Sequence, residues 1–255
     1  MKKFFLQYVS DLHLEYADKI PNIVAKQKYL ALLGDIGNPR TKKYQNFLKD
    51  TSSKFDKIFL ISGNHEYWNL HEHEIKLNKN EIDCIIYETV SKYNNIIYLN
   101  NATVNIDNVQ IVGSTLWSNI PQDKLEDAKY RMGDCNNIYN NNEKIIPEQI
   151  NELHNECVNY IEKIVNENND KKVVVLSHHC PSYQYLTEKY KHSNINYAFA
   201  SNLDYLIKEP ICAWLSGHTH GIINKKINGV ICSINCQGYS KQNLIDYDPG
   251  KYIEI

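Results

Sequence analysis

Short apolar runs that stop abruptly at polar, glycine-containing turns recur along this chain, and the turns carry its candidate chemistry. Residues 4–9, 29–33, 55–61, 172–176 and 211–215 have the length and the β-branched or aromatic character of buried strands. The turns that follow them read Ser10-Asp11-Leu12-His13-Leu14-Glu15, Gly34-Asp35-Ile36-Gly37-Asn38, Gly63-Asn64-His65-Glu66, Ser177-His178-His179-Cys180-Pro181 and Gly217-His218-Thr219-His220. Gly63 can take a positive φ where its strand ends, which puts Asn64 and His65 at a strand's C-terminal edge, where open α/β sheets bind ligands. In extended chain, residues two apart project to one side, so Asp11 and His13 are expected to face one pocket while Leu12 faces the core.

Between these units the pattern changes period. Residues 40–54 have helical character, with Phe47 and Leu48 on the apolar face. Residues 71–93 read as a polar helix whose apolar face includes Ile75, Ile82, Ile85, Ile86 and Val90; His71 and His73, two apart, cannot share a face and are expected in solvent. Pro147 opens a helix over 147–168 with the stripe Ile150, Leu153, Val158, Ile161, Ile164 and Val165, and residues 198–207 suggest another. Runs at 96–99, 103–106 and 109–113 suggest a meander, while 222–227, 230–234 and 252–255 complete a second group of strands, with Asn228-Gly229 as a hairpin signal. Residues 119–146 are polar and Asn-rich without evident period, as in either a lid or an inert loop.

Composition narrows the class. A length of 255 residues with 42% hydrophobic residues is enough for one domain, over 1–255, with a substantial core. Lys and Arg total 28 against 30 Asp and Glu, a balance that disfavours nucleic acid as partner and leaves small phosphate compounds open. The first apolar run is too short for a signal or a membrane span, and seven cysteines without paired spacing suit a reducing compartment; a soluble, cytoplasmic protein is expected. Cys232 and Cys236 read as small buried hydrophobes rather than ligands.

The strand-end turns collect Asp11, His13, Asp35, Asn64, His65, His178, His218 and His220. Imidazoles with a few carboxylate and amide oxygens are the donor mix for Zn, Mn or Fe, too rich in nitrogen for Ca or Mg and without the thiolates of structural zinc. Any single histidine here is more often a satisfied polar residue than a ligand; five of them after apolar runs favour metal. The set exceeds the needs of one ion, so two are expected, one acid being shared. Two-metal sites clamp the attacking and leaving oxygens of an in-line displacement at phosphorus and supply hydroxide near neutral pH. Hydrolysis of a phosphate ester is the chemistry that fits.

The ordered blocks D-x-H, G-D-x-x-N, G-N-H-E, a strand-end H and G-H-x-H resemble the calcineurin-like metallophosphoesterase superfamily, and flanking strings such as Ser114-Thr115-Leu116-Trp117 and Gly238-Tyr239 resemble a bacterial-type, single-domain branch of it. The resemblance implies a four-layer α/β/β/α sandwich. It also implies that Asp11, His13 and His220 hold one ion, that Asn64, His178 and His218 hold the other, that Asp35 bridges them, and that a metal-bridged hydroxide attacks phosphorus in line. His65 would bind no metal and would protonate the departing oxygen, oriented by Glu66 or by neighbours of Asp35; the bland alternative for Glu66 is a solvated loop carboxylate. Where this branch carries M-N-D-x-R, the chain has Met132-Gly133-Asp134-Cys135-Asn136, without the arginine. His179 is a candidate phosphate contact, and Trp117, Tyr183 and Tyr190 are candidates to line the pocket and stack on a base.

The expected substrate is a small-molecule or nucleotide phosphate ester. A nuclease and a non-catalytic scaffold on the same fold are the alternatives, the first disfavoured by the charge balance and the second by the intact donor set.

Overall fold

A computed structural model describes residues 3–70, 75–168, 170–242 and 244–255; His71 and His73 lie outside the described residues. The chain begins with β1 (Phe5–Val9) and β2 (Tyr29–Leu33), then α1 (Lys42–Ser52), β3 (Lys57–Ile61), α2 (Lys79–Val90) and β4 (Ile96–Tyr98). A hairpin of β5 (Ala102–Ile106) and β6 (Val109–Ser114) follows, then α3 (Leu125–Arg131), the single turn α4 (Asp134–Asn137) and the small hairpin of β7 (Tyr139–Asn140) and β8 (Glu143–Lys144). Next come α5 (Pro147–Asn166), β9 (Lys172–Ser177), the short α6 (Glu188–Lys191), β10 (Ile211–Ser216), β11 (Ile222–Ile227), β12 (Val230–Asn235) and β13 (Tyr252–Glu254). No described helix is long and apolar enough to cross a membrane.

Two large sheets form, one in the order β13-β1-β2-β3-β4 and one in the order β11-β12-β10-β9-β6-β5. The alternation of β9 shows why the central strands are apolar throughout. Val174 and Leu176 meet Leu6, Tyr8, Phe59, Ile61 and Leu215 in the layer between the sheets, whereas Val173 and Val175 belong to the outer core with the helices. Both faces are buried, so no polar alternation survives. α1 covers one sheet through Tyr44, Phe47 and Leu48, and α5 covers the other through Ile150, Cys157, Val158 and Ile161. The result is the four-layer α/β/β/α sandwich that the resemblance implied. β1, β2 and β3 run parallel, as do β6, β9, β10 and β12, so their C-terminal ends gather along one edge of the sandwich.

Several expectations need correction. The helix expected over 71–93 begins only at Lys79, where Glu81 accepts the Asn78 N–H at 2.7 Å, and Ile75 is 83% exposed rather than on its apolar face. The expected meander divides: β4 pairs with β3 in the first sheet, β5 and β6 pair in the second. β13 likewise joins the first sheet, antiparallel to β1. Residues 198–207 are not a helix. Their backbone pairs with the turn after β9, Cys180 N–H donating to Phe199 O at 3.1 Å and Ser201 N–H to Cys180 O at 2.9 Å, and these ladder bonds override local propensity. The stretch 119–146 is folded, with Leu125, Ala128, Met132 and Cys135 buried at a helical 3-4-3 spacing that its asparagines obscure. The Asn228-Gly229 hairpin stands, both residues having positive φ (50° and 86°) as a type I′ turn requires.

At the edge where the strand ends gather, Asn235 ties the two sheets together. Its Nδ2 donates to Tyr8 O and to Asp248 O, each at 2.9 Å, and its Oδ1 accepts the Asp248 N–H at 3.3 Å. The Tyr8 carbonyl is buried, so losing that donor is costly. Asn235→Ala is therefore expected to lower the unfolding free energy by about 2–3 kcal/mol in urea titration, a value near zero being inconsistent with this tie.

Candidate active site

The turns after β2 and β3 are locked together by the Glu66 carboxylate. Oε1 accepts the N–H groups of Ile36 (2.7 Å) and Gly37 (3.2 Å), and Oε2 those of Asp35 (2.9 Å) and Gly63 (2.7 Å). Glu66 is thus neither solvated nor the partner of His65. Glycine is required where these turns meet: a Cβ on Gly34, whose φ is +82°, would stand 2.4 Å from the Gly63 nitrogen, and one on Gly63 would stand 2.2 Å from Asp35 Oδ1. Burial, and then the neighbouring charge of Asp35, push the Glu66 carboxyl up to about 7.

Asp11, His13, Asp35, His218 and His220 all have left-handed backbones, with φ between 45° and 69°. Asp11 and His13 therefore converge through a left-handed turn, not through extended alternation, although Leu12 does enter the core. Such φ values are strained for side-chain-bearing residues and persist because surrounding bonds impose them. His13 N–H donates to Asp35 O at 3.0 Å, His218 N–H to the Asp11 carboxylate at 3.1 Å, and His65 N–H to Asp35 Oδ1 at 2.9 Å.

The imidazoles fall into two groups about Asp35. On one side His13 Nε2 and His220 Nε2 lie 2.9 Å apart, with Asp11 Oδ1 3.5 Å from the latter. On the other, His178 Nε2 is 3.1 Å from Asn64 Oδ1 and 3.3 Å from Asp35 Oδ1, while Asp35 Oδ2 turns toward His13 Nε2 at 3.8 Å. Outward hydrogen bonds set which ring nitrogen is bare. His13 Nδ1 pairs with Glu15 Oε1 (3.0 Å), His220 Nδ1 with Gln242 Oε1 (2.6 Å), His178 Nδ1 with Leu33 O (2.8 Å) and His218 Nε2 with Ala198 O (3.1 Å). The Asn64 amide is fixed likewise, its Nδ2 donating to Asp134 Oδ1 at 2.7 Å.

Inward-facing lone pairs are what this arrangement concentrates, and a cation suits them. With both outer nitrogens paired to acceptors, the inner nitrogens of His13 and His220 face each other, an arrangement that a shared ion would suit. In the protein alone the Asp35 carboxylate outweighs burial and holds His178 protonated up to about 10, while His178 and His65 keep Asp35 well below the usual carboxylate range despite burial. Burial depresses His218 and His220, leaving neutral rings of the kind metals bind. One donor atom from each of Asp11, His13 and His220 lies within 4.8 Å of the others, and the same holds for Asp35, His178 and His218. The donor chemistry therefore fits metal ions, of the nitrogen- and oxygen-preferring transition series.

His65 stands beside these groups. Its ring stacks on Trp68 (3.7 Å between centroids, 23°), and its Nδ1 pairs with Glu15 Oε1 at 3.1 Å, the oxygen that also holds His13. Burial opposes charge on His65, but Asp35 and Glu15 outweigh it and raise its pKa; Glu15 is lowered by the two histidines against its own burial. Glu15, Asp134 and Gln242 are site residues that sequence reasoning missed. Glu15 had a signal, two positions beyond His13 in the same turn, and Asp134 had one as the acid that matches the branch's M-N-D-x-R stretch; Gln242 arrives from a distant segment and had none.

Asp35, Asn64, His65, His218 and His220 line a cavity of about 340 Å³, together with Trp68, Arg131, Met132, Gly133 and Asp134 from one contiguous patch and Tyr190, Ile195 and Phe199 from another. Of the residues suggested to contact substrate, Tyr190 lines this cavity and three do not. Trp117 is buried against Tyr67 and His179, and Tyr183 packs half-buried on the outer core. His179 is fully buried behind His218, its Nδ1 on Thr115 O at 3.2 Å and its Nε2 without a partner among the described residues. Burial and the adjacent His178 pull its pKa down to about 3, so it stays neutral.

The Glu66 clamp is open to direct test. Glu66→Gln places an amide nitrogen against N–H donors and is expected to cost about 2–4 kcal/mol of stability in urea unfolding, more than one neutral hydrogen bond is worth. A loss below about 1 kcal/mol would show that the turns hold without it.

Comparison with known proteins agrees with this geometry. The chain is 35% identical to the uncharacterised protein L509 of Acanthamoeba polyphaga mimivirus over 273 aligned positions, covering 98% of this chain and 96% of that one. Its fold is similar to that of the phosphopantetheinyl hydrolase PptH of Mycobacterium tuberculosis, with a TM-score of 0.72 at 15% identity, over 98% of this chain and 95% of the other. A family model described as calcineurin-like phosphoesterase matches residues 8–221, a span holding all five strand-end turns, and the chain belongs to that family.

Proposed function

We propose that this chain hydrolyses small-molecule or nucleotide phosphate esters at a dinuclear metal centre, the finer form of the metal-dependent phosphoester hydrolysis its family performs. Asp11, His13 and His220 would hold one ion and Asn64, His178 and His218 the other, with Asp35 between them. The observation that carries this assignment is the Asp35 carboxylate, which offers Oδ1 to the His178 group and Oδ2 to the His13 group. When bound, such ions neutralise phosphoryl charge and make water acidic enough to attack near neutral pH.

The protein's own groups do the rest. Water attacks phosphorus, the bond from phosphorus to the alcohol oxygen breaks, and that oxygen needs a proton. His65 supplies it from Nε2, because Glu15 holds Nδ1 and the stacked Trp68 indole fixes the ring plane. Asp134 keeps the Asn64 amide from flipping, so that Oδ1 rather than Nδ2 faces the donor cluster. The absence of thiolates from the set supports Mn, Fe or Zn as occupants.

Two measurements separate these roles. Asn64→Ala is expected to reduce bound metal measured by elemental analysis, whereas His65→Ala should retain the full metal content and lose about 10²–10⁴-fold in kcat on esters of weakly acidic alcohols. Equal metal content in both variants, or wild-type turnover by either, would refute the division. Glu15→Gln is expected to slow alkyl phosphates at least tenfold more than 4-nitrophenyl phosphate, whose leaving group needs little protonation. Equal slowing of both would mean that Glu15 acts only through His13 and metal loading.

A further inference from the structure

The cavity wall beside His65 carries a charge. His65 marks the leaving-group side of the cavity, since its Nε2 must reach the departing oxygen. From there the wall continues through Trp68 to Gly133, where a Cβ would stand 2.7 Å from the indole, so only glycine lets the ring pass between. The indole N–H donates to Asp134 Oδ1 at 2.8 Å, which fixes the wall in place.

Arg131 closes α3 immediately before Met132 and Gly133, and it is the one arginine or lysine among the described residues lining this cavity. Asp127 Oδ2 steadies it at 3.3 Å from Nη1 and also accepts the Tyr197 hydroxyl at 3.4 Å. This ion pair is 44% and 45% exposed, a setting in which pairing contributes little, so an anion can compete for the guanidinium. One contact engages a small part of a planar fork of five N–H donors that matches phosphate and carboxylate. Asn136, where the resemblance expects arginine, is exposed and does not line the cavity. The phosphoryl group under attack is already served by the cluster around Asp35. Elsewhere the cavity is lined by Tyr190 and Phe199, whose rings lie 4.3 Å apart, and by Ile195.

Resting on the hydrolase assignment above, we propose that Arg131 reads a second anionic group, carboxylate or phosphate, on the alcohol half of the ester, while the body of that half packs against apolar and aromatic wall. The preferred substrates are thus phosphate esters of alcohols that are themselves acids or phosphates.

Two matched pairs test this with metal-loaded protein: phenyl phosphate against 3-carboxyphenyl phosphate, and adenosine monophosphate against adenosine 3′,5′-bisphosphate. The wild type is expected to show a KM about tenfold lower for the more anionic member of at least one pair, and the pair that responds tells carboxylate from phosphate. Arg131→Ala should bring that ratio to about one and Arg131→Lys should keep part of it, since the ammonium retains charge without the fork. A wild type without preference in either pair, or a ratio preserved in Arg131→Ala, overturns the proposal. Should the wild type hydrolyse none of the four, the hydrolase assignment fails, and the same ratios taken from calorimetric Kd values decide the role of Arg131.

Discussion

Four backbone N–H groups from two strand-end turns converge on the buried carboxylate of Glu66, and the candidate site is built outward from that clamp. Parallel strands that end together leave amides with no ladder partner, and buried amides must be satisfied. One carboxylate satisfies four of them and in doing so sets the spacing between the turns. Asp35 and Asn64 project from the two turns so joined, toward His178 of the opposite sheet. The clamp is also why Gly34 and Gly63 touch backbone to backbone: any side chain there would push the turns apart and leave the amides short of their acceptor.

How far the fold was legible depended on whether local pattern or distant partners decided each element. The central strands were legible because both faces are buried and their residues are apolar without interruption. Their assignment to sheets was not, because Ile96, Val109 and Tyr252 all sit in comparable short runs and only the layer between the sheets sorts them. The error over 198–207 has the same origin: Phe199 and Ser201 spend their backbone groups on Cys180, which no local pattern shows. In 119–146 the helical spacing of Leu125, Ala128, Met132 and Cys135 was present but diluted by asparagine.

Within the site, residue types at strand ends were enough to single out side chains that the fold gathers around Asp35. The residues that orient those donors were much less legible. Gln242 and Asp134 reach His220 and Asn64 across 22 and 70 positions, and their roles consist only in which atom they leave bare. Trp117 and Tyr183 failed as pocket residues because aromatic side chains near a site serve the core at least as readily as the ligand.

The same geometry bears on how the charges of the site are balanced. Asp11, Glu15, Asp35, Glu66 and Asp134 are all buried or nearly so around the cavity, and Arg131 at its rim is the one arginine or lysine among the described lining residues. Buried carboxylates without counter-charge cost several kcal/mol each. In the protein alone they are served by protons, on His178 and His65 and, near neutral pH, on Glu66 itself. Burial, and then the charge of Asp35, raise the Glu66 carboxyl to about 7, so a cation that offset Asp35 would remove the second of these causes and leave the first. Any such relief would favour the ionised form of Glu66, and an ionised carboxylate accepts four N–H bonds better than a neutral acid does.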